Sequence, residues 1–147
     1  MTTLLSGFCS KGQQMKTLED LHEQYPELLK KHGYASYMPD GWMPMFSKLC
    51  DDIHALAVKH GVPRGSEGYP HIAQYKEKFS ELRVYMDCSN PDLLAEIRPL
   101  VEKACKDSVT ICSRCGAPGF MHTDETNFYR NFCEPCEAAF KKERHRR

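Results

Sequence analysis

Four cysteines carry the clearest chemistry in this sequence: Cys112-Ser-Arg-Cys115 and Cys133-Glu-Pro-Cys136, separated by 17 residues, 116–132. Two cysteines three apart in a tight turn, with Gly116 following the first pair, present both sulfurs on one side of a knuckle. Two knuckles facing each other close a tetrahedral S4 cage with Zn–S bonds of about 2.3 Å. Thiolates select soft, tetrahedral ions, so Zn2+ is the expected cofactor, with mononuclear iron a chemical alternative. Four thiolates leave no open coordination position, which predicts a structural rather than a catalytic ion. Such a site contributes ~10–16 kcal/mol of apparent binding free energy at neutral pH, ample to fold a short element with almost no core of its own. Two redox Cys-x-x-Cys motifs are the weaker reading, because the pairs complete one cage between them.

The ligands must be positioned by the chain between and after them. Gly116, Pro118 and Gly119 are turn residues just past the first knuckle. Residues 120–122 and 128–132 are predicted as two strands, with 123–127 as the tip. Glu137-Ala-Ala-Phe-Lys-Lys-Glu143 reads as a helix leaving the second knuckle. This order of knuckle, hairpin, knuckle and helix resembles a treble-clef or zinc-ribbon finger. The spacing Cys-x2-Cys-x17-Cys-x2-Cys is also that of GATA-type DNA-binding fingers. That family carries a Trp-Arg-Arg segment in the hairpin and an Asn-Ala-Cys-Gly turn at the second knuckle. The corresponding stretches here, His122-Thr-Asp-Glu125 and Glu134-Pro-Cys136-Glu137, are acidic.

Charge weighs the same question. Residues 111–140 hold Arg114 and Arg130 against Asp124, Glu125, Glu134 and Glu137, and a zinc tetrathiolate adds about −2. Only the tail is basic, with Lys141, Lys142, Arg144, Arg146 and Arg147 against Glu143. These five cations are the candidate nucleic-acid contacts, of the non-specific kind that salt weakens. The competing reading is a solvated terminus.

Upstream, the pattern predicts an α+β body over 17–109, preceded by a loose lead-in over 1–16 and followed by the finger and tail over 110–147. Thr17 with Asp20 three residues on looks like a capping box, and Leu18, Leu21, Tyr25, Leu28 and Leu29 come after it at helical spacing. Pro26 predicts a break near Gln24–Tyr25 and a second short helical turn, with Gly33 as a stop. After Asp40-Gly41-Trp42 comes the best helix: Pro44 in its first turn, then Met45, Phe46, Leu49, Ile53, Leu56 and Ala57 on one face, ending at Lys59-His60-Gly61. Trp42 reads as a staple at the helix entry. Residues 62–69 have loop composition. Residues 71–77 and 82–87 are expected as a β-hairpin turning over 79–81, with Leu82, Val84 and Met86 on one face and Arg83 and Tyr85 on the other. A helix through this stretch is the alternative. Asn90-Pro91-Asp92 opens another helix, striped by Leu93, Leu94, Ile97, Leu100, Val101, Ala104 and Cys105, with a kink expected at Pro99.

The composition excludes several classes. Lys+Arg and Asp+Glu both number 20 in 147 residues, which argues against binding to nucleic acid through overall charge alone. No apolar run approaches the ~18–20 residues of a membrane span. The opening, Met1 to Cys9, lacks a basic n-region, which predicts a cytoplasmic protein whose thiols stay reduced and available to metal. Cys50 and Cys105 fall on apolar helical faces and read as small core residues, Cys88 sits at a strand end, and Cys9 lies in the lead-in. His22-Glu23 lacks the second histidine of a metalloprotease helix, and Pro135-Cys136 lacks the further cysteine of a zinc deaminase. The histidines are therefore expected as surface or capping residues. No phosphate loop, nucleophile elbow or paired-carboxylate motif is present, so no enzyme and no small-molecule substrate are expected. The Tyr75-Lys76-Glu77-Lys78-Phe79 segment interleaves bases with aromatics as a nucleic-acid surface would; cross-strand charge pairing is the plainer expectation.

Three segments together support one more resemblance: Asp40-Gly41-Trp42 before a helix, Lys76-Glu77-Lys78-Phe79-Ser80-Glu81-Leu82-Arg83-Val84-Tyr85, and Cys112-x-x-Cys115-Gly116-Ala117-Pro118-Gly119. Over about 41–136 the chain resembles a group of small uncharacterised phage and prophage proteins. That group has a Gly-Trp, a Lys-Glu-Lys-Phe-x-x-Leu-Arg-Phe-Tyr hairpin and a Cys-x-x-Cys-Gly-x-Pro-Gly knuckle. Here Val84 stands where the group favours Phe, and Ser80-Glu81 where it favours Gly-Gly. The resemblance implies a phage-derived cytoplasmic accessory protein and supplies no activity. The expectation is thus a non-enzymatic zinc-finger protein that binds a protein partner and could modulate host machinery; the alternative is a nucleic-acid-binding factor using the finger and tail.

Overall fold

A computed structural model describes residues 16–29 and 37–145. Most of the expected lead-in, the Gly33 stop, Cys9, Arg146 and Arg147 lie outside the described residues. The first helix, α1 (Leu18–Gln24), opens on a reciprocal capping box. The Thr17 N–H donates to Asp20 Oδ2 at 3.0 Å, and the Asp20 N–H to Thr17 Oγ1 at 3.0 Å. Two otherwise orphaned donors are satisfied in this way. The chain breaks at Tyr25 as Pro26 requires. The next residues form the expected second short turn, a single α-type turn closed by the Leu29 N–H on the Tyr25 carbonyl at 2.9 Å.

A 3-10 turn over Asp40–Trp42 leads into α2 (Met43–Lys59), with Pro44 in the first turn, where its missing N–H costs nothing. Strands β1 (His71–Lys78) and β2 (Glu81–Asp87) form the expected hairpin, paired antiparallel with an irregularity between Ile72 and Gln74. Its turn is shorter than expected. Phe79 and Ser80 alone make it, both at positive φ (51° and 64°), the geometry of a two-residue type I′ connection. The Ser80 N–H donates to Glu77 Oε2 at 2.6 Å, a local bond in a turn that has no glycine. Helix α3 (Pro91–Ser108) begins at the Asn90 cap, whose side chain accepts from the Leu93 N–H at 3.1 Å, and continues through Pro99.

The body's core is built from the inward faces of these elements: Leu21, Trp42, Phe46, Ile53, Ile72, Leu82, Leu93 and Ile97 are almost wholly buried. Helix α3 contacts both α2 and β2. The C-terminal region holds β3 (Phe120–His122) and β4 (Arg130–Phe132), an antiparallel pair, and then α4 (Glu134–His145). Strand β4 is two residues shorter than expected. Phe128 lies outside it, beside Asn127 at φ 59°, and its carbonyl accepts from Arg130 Nη1 at 3.0 Å. Helix α4 starts three residues earlier than expected and absorbs Lys141, Lys142 and Arg144, so the described part of the basic tail is helix and not a loose end. The chain is thus a mixed α and β structure with two small hairpins. Among the described residues no helix is long and apolar enough to cross a membrane.

Candidate metal centre

The Sγ atoms of Cys112, Cys115, Cys133 and Cys136 all lie within 4.8 Å of one another, and Cys115 and Cys133 approach to 3.6 Å. A regular tetrahedron with metal–sulfur bonds of about 2.3 Å has edges of about 3.8 Å. A disulfide would require about 2.05 Å, and no disulfide joins any of the seven described cysteines. The four sulfurs therefore form a donor set that could hold one metal ion. Cys112 and Cys133 are buried, Cys115 and Cys136 half-buried.

Backbone bonds shape both knuckles. In the first, the Cys112 N–H donates to the Ala117 carbonyl at 2.7 Å, and the Gly116 N–H returns to the Cys112 carbonyl at 2.9 Å. Gly116 takes φ 85° to reverse the chain there, a conformation natural to glycine. The Ser113 N–H donates to the Asn131 carbonyl at 2.8 Å, which ties this knuckle to β4. The second knuckle is the end of β4 running into α4: the Glu137 N–H donates to the Cys133 carbonyl at 2.9 Å, so Cys136 rides on the first helical turn. Apolar support is thin. Cys112, Phe132 and Cys133 are the buried apolar cluster here, with Ala117 and Phe140 partly buried against it.

The body grips this unit at two places that local sequence reading missed. The Gly41 N–H donates to the Ser113 carbonyl at 2.9 Å, and Trp42 Nε1 donates to the Ile111 carbonyl at 3.0 Å. A Cβ at Gly41 would stand 2.0 Å from the Cys112 carbonyl oxygen and 2.7 Å from the Gly116 nitrogen. The 3-10 turn therefore lies directly on the first knuckle, and Trp42 is a cross-link to it as well as a buried residue at the helix entry. At the second place, fully buried Asn131 donates through Nδ2 to the Ser80 carbonyl at 2.5 Å and to the Ser108 carbonyl at 3.4 Å. The Gly-Trp, hairpin and knuckle segments, far apart in sequence, thus meet around the four cysteines. Glycine followed by tryptophan ahead of a proline-initiated helix was the one available signal for the first contact.

Electrostatics organise the outer side. Arg130, almost wholly buried, makes a bidentate pair with Glu137 (Nε–Oε1 2.8 Å, Nη2–Oε2 2.7 Å) and lies over the Phe140 ring at 4.7 Å. Hydrogen bonds from Arg130 hold the Glu137 carboxyl below its ordinary range, and Glu137 in turn raises the guanidinium. Bonds from Thr126 and then Arg144 hold Asp124 well below the usual carboxylate range. Arg144 meets Asp124 at 2.6 Å, and Lys141 meets Glu137 at 3.7 Å. An open cleft of about 620 Å³ lined by His122, Asp124, Arg130, Glu137 and Arg144 runs along these pairs.

The remaining candidates fall elsewhere. Lys142 is exposed on α4. Several histidines expected at the surface are part-buried and bonded: His22 to the Tyr75 hydroxyl at 3.0 Å, His54 to that of Tyr69 at 2.9 Å, and His122 to the Phe132 carbonyl at 3.0 Å. Cys50 is buried in the body core and Cys105 half-buried, and burial pushes both thiols up; Cys88 comes directly after β2. Comparison with protein-family models, with curated proteins and with solved structures finds no match for this chain.

Proposed function

We propose that this chain is a non-enzymatic accessory protein in which a structural Zn2+ on Cys112, Cys115, Cys133 and Cys136 locks a treble-clef-like finger to an α+β body, and that it acts by binding a protein partner. An all-thiolate set supports zinc, and its closure supports a structural role. That the seven described cysteines stand outside any disulfide fits a reducing cytoplasm. The resemblance to phage and prophage proteins supports a host component as the partner.

The observation that carries the interaction reading is where the exposed apolar surface lies. Phe120, Met121, Phe128 and Tyr129 are all exposed on the finger, and exposed Phe79 of the β1–β2 turn stacks edge-on against Tyr129 at 5.7 Å. Aromatic residues and methionine are enriched where partners meet. The alternative, a nucleic-acid-binding factor using the finger and tail, draws less support, because Lys141 and Arg144 already meet carboxylates of the finger.

A photo-crosslinking residue at Met121 in the producing cell tests the reading. The expected result is one discrete protein adduct, lost on Cys112→Ser. Absence of an adduct, or an adduct that survives Cys112→Ser, would contradict it.

A further inference from the structure

The strongest unassigned feature is the outward face of the β1–β2 hairpin. Pairing in register puts Gln74 opposite Tyr85, Lys76 opposite Arg83, and Lys78 opposite Glu81. Their neighbours Tyr75, Leu82 and Val84 face the core, so these six point the other way, since side chains alternate along a strand. Glu77, which would dilute the charge, is turned to the hairpin's own backbone, accepting from the Ser80 N–H.

The outward face therefore carries three cations and one acid. Glu81 pairs with Arg83 along the strand at 3.0 Å, but Lys76 and Arg83 stand directly opposite each other. Opposite charges are the stabilising choice across strands, and like charges there cost stability. The plainer expectation of cross-strand charge pairs is met by Lys78 opposite Glu81 but not by Lys76 opposite Arg83. Between and beyond the cations stand exposed aromatics. Lys76 Nζ lies 5.9 Å from the centroid of the Tyr85 ring, and Lys78 Nζ lies 5.9 Å from that of Phe79, which meets Tyr129 of the finger. From Tyr85 to the turn at Ser80 is five residue steps, about 17 Å at ~3.3 Å each.

Cations interleaved with exposed rings are what a flexible anionic polymer of stacked bases requires: phosphates meet the cations, and bases stack on the rings without need of sequence. We infer that the outward face of this hairpin binds single-stranded nucleic acid, with Lys76 and Lys78 on phosphates and Tyr85, Phe79 and Tyr129 as stacking platforms. An acidic protein segment would use the cations but leave the rings without planar partners. This surface borders the protein-binding ridge proposed above and shares Phe79 and Tyr129 with it; Lys76, Lys78 and Tyr85 lie outside that ridge, and the Met121 crosslink reports on it separately.

The test is fluorescence anisotropy of the full chain with a labelled oligothymidylate at several salt concentrations. Binding is expected to exceed that of the matching duplex and to weaken with salt. Lys76→Gln/Lys78→Gln is expected to lower affinity about ten-fold and to reduce the slope of log K against log salt by about 1.4, from ~0.7 per phosphate contact on a single strand. Tyr85→Ala, at an exposed position, is expected to cost about five-fold or more, and it decides the question if the double variant fails to fold. Lys141→Gln/Lys142→Gln should stay within about two-fold of the parent. No binding, equal binding to duplex, equal competition by polyglutamate, or loss that tracks the α4 variant instead of the hairpin variants would each overturn the inference.

Discussion

Replacing Gly41 by alanine adds a single methyl group, yet it should break the joint between body and finger. The new Cβ would stand 2.0 Å from the Cys112 carbonyl oxygen, where ordinary contact begins at 3.4 Å, and its other near neighbours, in Gly116 and Ser113, are also backbone. No flexible side chain can yield. The 3-10 turn must withdraw by about 1 Å or more, which is enough to lose the Gly41–Ser113 bond and the Trp42–Ile111 bond. Two net hydrogen bonds are worth about 1 kcal/mol each, and overpacking adds about 1–3 kcal/mol. We expect a loss of about 3–5 kcal/mol, a fall in Tm of about 10 °C for a chain of this length. Thermal unfolding followed by circular dichroism measures it. Gly68→Ala is the control: its Cβ would meet side-chain carbons at 3.7 and 3.8 Å, ordinary contacts. It should stay within about 0.5 kcal/mol of the parent. A Gly41→Ala protein that melts within about 2 °C of the parent would refute the close approach on which the joint rests.

Other perturbations should separate the remaining interactions. Arg130→Met strips the shielded Glu137 carboxylate of its bidentate partner and leaves it only Lys141 and His122 at 3.7 Å, and should cost about 3 kcal/mol, the low end for a broken buried pair. Adding Glu137→Leu should restore most of that loss, because it removes the stranded charge; a thermal melt of the two variants decides. Glu96 accepts from Lys59 at 2.9 Å and from His60, which holds its carboxyl below the ordinary value. Its contribution is therefore full above the unfolded carboxyl pKa of about 4.3 and is lost as pH falls through the lower folded value. Glu96→Gln should flatten that acid limb of stability against pH and leave the neutral region nearly unchanged; an unaltered limb would remove Glu96 from the account. Trp42→Phe keeps the buried ring but strands the Ile111 carbonyl, and should cost about 1–3 kcal/mol by denaturant titration.

Much of the fold was legible because its signals are local. The Thr17 capping box, the Asn90 cap, Pro44 in the first turn of α2 and the alternation of Leu82, Val84 and Met86 each depend on neighbours a few residues away. They appear where the sequence put them. The four thiols were legible for the same reason, since knuckle spacing is itself a local signal. The joint was not. Gly41 against Ser113, Asn131 against Ser80 and Trp42 against Ile111 link positions 51 to 72 residues apart, and nothing periodic marks such pairs. The two-residue length of the hairpin turn was not legible either, because Phe79 and Ser80 both adopt the positive φ usually left to glycine or asparagine. The basic tail looked free because net charge along a sequence does not show that Asp124 and Glu137 fold back beneath Arg144 and Lys141.

One metal ion held by four sulfurs is the central claim, and X-ray absorption at the metal edge of the purified protein measures it directly. We predict one equivalent of zinc with four sulfur neighbours at about 2.3 Å and no lighter scatterer in the first shell. Nitrogen or oxygen among the nearest neighbours, fewer than four sulfurs, or a metal-free protein whose Cys112, Cys115, Cys133 and Cys136 are oxidised to disulfides would contradict it.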